Sequence, residues 1–146
     1  MPDDPLIRIV DPSVMDVASS ALYDAEPHVA WSVGYAPELD DDGGRFLLAS
    51  LHAAGHEGRV DVEIAATQLG GDYPAALEGD AAASFEAALA DAEALETLYA
   101  FARMTAISAL GLVDIDVEVP RMTPAPAVSQ LVRPDASESD GNSDDD

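Results

Sequence analysis

Apolar and polar residues alternate through much of the first half of the chain, and a three- to four-residue period takes over in the second. Val29, Trp31, Val33 and Tyr35 share one face of residues 28–35, with small or polar residues between them, as a half-buried strand requires. Residues 45–53 are strongly apolar, and Val60, Val62 and Ile64 alternate with Asp61 and Glu63. The runs Asp40-Asp41-Asp42-Gly43-Gly44 and Gly55-His56-Glu57-Gly58 read as turns, so three strands joined by short connections predict an antiparallel meander. Ahead of it lies a short apolar run at 6–10, which Pro12 is expected to halt. A second extended stretch follows at 15–23, where Ala18-Ser19-Ser20-Ala21 suits either strand or helix. Gly70-Gly71-Asp72-Tyr73-Pro74 closes the sheet region.

From Ser84 to Leu110 the pattern is helical. Ala88, Ala92, Leu95, Tyr99, Ala102, Ala106 and Ala109 recur at three- and four-residue steps, joined by Phe85, Leu89 and Leu110. Ser84 is placed to cap the start and Gly111 the end, with room for a break near Asp91. So small a stripe allows another helix to approach closely between subunits; packing on the chain's own sheet satisfies it equally. Beyond the helix, Val113-Asp114-Ile115-Asp116-Val117-Glu118-Val119-Pro120 alternates strictly and should be extended. The Met122-Thr123-Pro124-Ala125-Pro126 run prevents regular structure, leaving residues 127–132 for one or two helical turns. Residues 135–146 carry six acidic residues and almost nothing apolar, so they are expected to be a disordered tail behind one domain at 1–134.

Composition sharpens this picture. At 146 residues the chain fits one domain, and much of its 48% hydrophobic content is alanine, which buries little area per residue. Oligomerisation is one way to supply the missing buried surface. The net charge is −23, with six arginines and no lysine, so anionic membranes and nucleic acid are poor partners. No apolar run approaches the roughly 20 residues that span a bilayer, and the N-terminus lacks a signal-peptide pattern, which points to a cytoplasmic location. The acidity fits either a salty environment or a basic partner.

Candidate chemistry is sparse. Without cysteine there is no disulfide and no thiolate nucleophile or metal ligand. His52 and His56 have helical zinc spacing, but on a strand that spacing separates them by about 13 Å, so no metal site is expected. No Gly-x-Ser-x-Gly turn and no phosphate loop occur. No catalytic residue and no cofactor emerge, and a non-enzymatic binding protein is the expectation.

The order of elements resembles SecB and the SecB-like chaperones, including those attached to toxin–antitoxin systems. The likeness rests on 59–64, similar to that family's fourth strand, with Gly70 and Gly71 falling a little late. It rests also on 98–110, whose Phe101-Ala102-Arg103 step resembles the principal helix, and on 114–126, similar to the proline-containing crossover. The resemblance implies an α+β fold: a four-stranded antiparallel sheet, one long helix, an extended crossover and a second helix, here truncated. It implies a homotetramer, a dimer of dimers, with Ala88, Ala92, Leu95, Tyr99, Ala102 and Ala106 at subunit contacts. Unfolded polypeptide clients would lie on Leu112, Ile115, Val117, Val119 and Met122. Asp16 and Glu63 sit at positions similar to family acids that dock the SecA ATPase. A role in protein export follows from the resemblance. Two rivals are a SecB-like chaperone dedicated to an antitoxin, and an acidic inhibitor or nucleic-acid mimic.

Overall fold

A computed structural model of the protein describes residues 6–131; the acidic tail expected at 135–146 lies outside them. The chain folds as an α+β protein in the order β1 (Arg8–Ser20), β2 (His28–Tyr35), β3 (Arg45–Gly55), β4 (Gly58–Leu69), α1 (Gly79–Ala90), α2 (Glu93–Val113) and β5 (Ala127–Gln130). The five strands form one sheet ordered β1-β4-β3-β2-β5. The expected meander is present: β2 pairs with β3 and β3 with β4, all antiparallel.

The alternation read from sequence sets the two faces. Trp31, Val33 and Tyr35 of β2, Leu47, Ala49 and Leu51 of β3, and Val60, Val62 and Ile64 of β4 are buried on one side. Both helices cover that side, supplying Phe85, Leu89, Leu95, Leu98, Tyr99, Ala102, Ala106 and Leu110 to a single core. Edge-to-face ring contacts fill it where alanine cannot: Trp31 meets Tyr99 at 5.2 Å, and Phe85 meets Tyr35 at 5.0 Å and Tyr73 at 5.2 Å.

Four sequence expectations need correction. Pro12 does not halt a strand, because residues 8–10 and 15–20 of the two stretches belong to one strand, β1. Asp11 takes a left-handed conformation (φ 55) and the register on β4 shifts between Val10 and Ser13. Proline lacks an N–H, and an edge strand with a bulge is where that loss is tolerated. The helix does not start at a Ser84 cap. Instead α1 begins at Gly79, α2 follows a break at Asp91–Ala92, and the helix runs past Gly111 to Val113, ending at a left-handed Asp114 (φ 56). One exposed helical glycine costs about 1 kcal/mol, which packing of the apolar helix face outweighs. The truncated second helix is absent: Ala127–Gln130 is strand β5, parallel to β2, so the sheet is mixed and five-stranded. A four-residue run with little pattern is captured by the open edge of β2.

Two glycines permit close approach. A Cβ on Gly34 would lie 2.3 Å from Leu131 Cδ2, which covers β2 just beyond β5. A Cβ on Gly58 (φ +150) would lie 2.5 Å from the Ser20 carbonyl oxygen and 2.8 Å from Ile115 Cγ2.

Candidate functional site

β1 is the longest strand, with 13 residues, and it pairs only on one side, with β4; no strand of the described residues lies along its other edge. Its helix-facing positions outrun the helices. Val14 pairs with Ile64 and Val17 with Val62, yet these two valines are 41% and 43% exposed while their partners are buried. Met15, at the second register shift, is 60% exposed. Nearby, α2 crosses this strand with Met104 and Ile107 exposed at the three-residue step that places them on one face. At the start of β1, an open groove of about 920 Å³ runs between Ile7 and Ile9 on one wall and Ala88, Ala92 and Thr97 on the other. The result is a long backbone edge bordered by apolar side chains. Such an edge is a template for another extended chain.

The crossover expected to carry clients is extended, but its apolar side faces inward: Ile115, Val117 and Val119 are buried in the core. The reason is local. The Tyr99 hydroxyl donates to the Pro120 carbonyl at 2.7 Å, and Arg103 Nε donates to the Val119 carbonyl at 3.1 Å, so α2 straps the segment down. Leu112 and Met122, at either end of it, are 88% and 83% exposed. The five residues therefore split into three core positions and two exposed ones.

The alanine stripe is likewise interior. Leu95, Tyr99, Ala102 and Ala106 are buried under the chain's own sheet, which corrects their expected place at a subunit contact, while Ala88 and Ala92 are half-buried along the groove. The exposed side of α2, with Ala100, Met104 and Ile107, is the face a second copy can reach.

Asp16 and Glu63 come together as a directly paired cross-strand couple on the outer, helix-free face, and Glu63 continues to Ser50 on β3. Like charges opposite each other are unfavourable by a few tenths to about 1 kcal/mol, a cost that a cationic partner would relieve. The next row joins Ala18, Asp61, His52 and Ala30, and His28 follows diagonally from His52. His52 Nδ1 meets Asp61 Oδ1 at 2.5 Å, and the Nε2 atoms of His52 and His28 lie 3.1 Å apart. Sequence spacing paired His52 with His56 and missed His28, 24 residues away, because only strand register brings it close. His56 instead meets Asp24 at 2.9 Å.

Inside, Arg45 is almost fully buried. Its guanidinium donates to the carbonyls of Ala36 (3.0 Å) and Pro74 (3.1 Å) and lies 5.2 Å from the Phe85 ring centre. Burial lowers its pKa. It ties Ala36 to the 74–75 connection, a structural role.

No family model and no curated protein matches the chain. No helix among the described residues is long and apolar enough to cross a membrane.

Proposed function

We propose that the chain is a SecB-like chaperone that holds unfolded polypeptide in extended form, without catalysis, as an oligomer of its own copies in the cytoplasm. The observation that carries this reading is the β1 edge: a strand of 13 residues with no second neighbouring strand among the described residues, and Val14, Met15 and Val17 exposed beside it. A client strand laid along that edge gains backbone hydrogen bonds regardless of its sequence, and apolar contacts of about 1.5–3 kcal/mol for each well-buried side chain. Such contacts are individually weak, which suits promiscuous and releasable binding. The client surface is thereby moved from the crossover to β1, the groove beside it and the exposed Leu112 and Met122.

Self-association competes for the same edge and for the exposed face of α2, and a tetramer built as a dimer of dimers would leave part of the apolar border for clients. The outer-face pair Asp16 and Glu63 suits a basic docking surface, whether on the SecA ATPase in export or on an antitoxin. A second reading, an acidic mimic that inhibits one basic protein, draws on the same like-charged pair and the net charge of −23.

Suppression of aggregation of an unrelated denatured protein, at low and high salt, separates these readings. Holding predicts suppression at near-stoichiometric amounts that largely survives salt. Failure at both salt levels overturns it, and tight binding to one basic protein that salt abolishes favours the mimic.

A further inference from the structure

The three histidines all lie on or beside the outer sheet face, and two of them are held in a way that the holding role does not use. His28 Nδ1 lies 2.8 Å from the Glu26 carbonyl oxygen, which can only accept, so His28 carries its proton on Nδ1. His52 Nδ1 faces the Asp61 carboxylate at 2.5 Å and is a donor for the same reason. In the neutral rings both Nε2 atoms are then bare lone pairs, and they face each other at 3.1 Å. Two bare acceptors repel, and the contact is relieved either by a proton shared between them or by a metal cation that takes both lone pairs. Zinc–nitrogen bonds of 2.0–2.1 Å at a tetrahedral angle set two ligand nitrogens about 3.3 Å apart, close to the separation here. A carboxylate on one ring and a backbone carbonyl on the other are the outer partners that orient metal-binding histidines.

We propose that His28 and His52 form a two-histidine site for a divalent transition-metal ion of the zinc, nickel or copper kind. His ring torsions lie in broad wells, so both lone pairs can turn onto one ion. Among the described residues no group of three or more His, Cys, Asp or Glu is arranged to hold a metal, so water completes the coordination. Arg59 Nη1 lies 3.8 Å from Asp61 Oδ2, the oxygen turned away from His52. The site joins β2 to β3 across the face that also carries Asp16 and Glu63.

Titration of zinc chloride into the full chain, with excess magnesium to occupy scattered carboxylates, tests this by calorimetry and by the NMR signals of the imidazole rings. One saturable site per chain is expected, with ring signals of His28 and His52 moving and those of His56 unchanged. His28→Gln or His52→Gln should weaken binding at least tenfold and His56→Gln should leave it unaltered. Asp61→Asn should weaken it about tenfold. Equal affinity in all four variants, or no saturable binding because a shared proton alone joins the two Nε2 atoms, overturns the proposal. The ring signals of the unsubstituted chain decide the matter even if a variant misfolds.

Discussion

At the scale of single residues, Tyr35 couples the core to pH. Its hydroxyl donates to Glu86 Oε2 at 2.6 Å, joining β2 to α1. Its pKa is pushed up to about 12, first by burial, then by the hydrogen bond to Glu86 and the charge of that carboxylate. An unfolded tyrosine ionises near 10, so between pH 10 and about 12 the folded chain keeps a proton that the unfolded chain has lost. The stabilisation is complete below pH 10 and is lost as pH rises through that window. Tyr35→Phe should cost about 1.5–3 kcal/mol at neutral pH and flatten part of the decline between pH 10 and 12, as read by urea unfolding. Tyr99, also raised chiefly by burial, accounts for a remainder. Gly58→Ala meets both a positive φ and the Ser20 carbonyl, and should destabilise by roughly 2 kcal/mol in the same assay.

At the scale of elements, β1 and β5 are the two edges of one sheet and behave oppositely. β1 is long and bordered by apolar side chains, whereas β5 is four residues long and Gly34 admits Leu131 behind it. Val17→Lys should change stability by no more than about 0.5 kcal/mol, since the side chain is already 43% exposed. The same change should weaken aggregation suppression severalfold, because an edge lysine opposes strand addition. Suppression equal to that of the unsubstituted chain would show that the edge is not the client surface. Gly34→Val should displace Leu131, and hydrogen exchange of the 127–130 amides should quicken at least tenfold while β3 and β4 stay protected. The strand at 28–35 was legible from its period of two, and that at 45–53 from a short apolar run bounded by turn residues. The role of β5 was not, since Ala127-Val128-Ser129-Gln130 suits a helix or a strand and only the open edge of β2 decides.

For the whole molecule, charge dominates, and the proposed assembly has to form against it. A net charge of −23 on 146 residues repels itself, so added salt should raise the melting temperature until screening is complete near 1 M. Light scattering should give a multiple of the 15.2 kDa chain mass. A stable monomer would remove the assembly part of the proposed function, while leaving strand-edge holding to be tested by aggregation suppression. The apolar border of β1 and the exposed face of α2 are where copies should meet, and Met104→Glu should shift the assembly toward smaller species.

Pattern alone determined the central strands, the inward faces and the helical stretch, because alternation and the 3.6-residue period are properties of neighbours along the chain. The candidate surfaces were read less well. Ile115, Val117 and Val119 look the same in sequence whether they face a client or a core, and it is Tyr99 and Arg103, holding the carbonyls of residues 120 and 119, that turn them inward. The alanine stripe was equally two-sided until the sheet claimed it. Only the tertiary structure paired His28 with His52, bulged β1 past Pro12 and left its edge open, since each depends on register and on how far one element reaches over another.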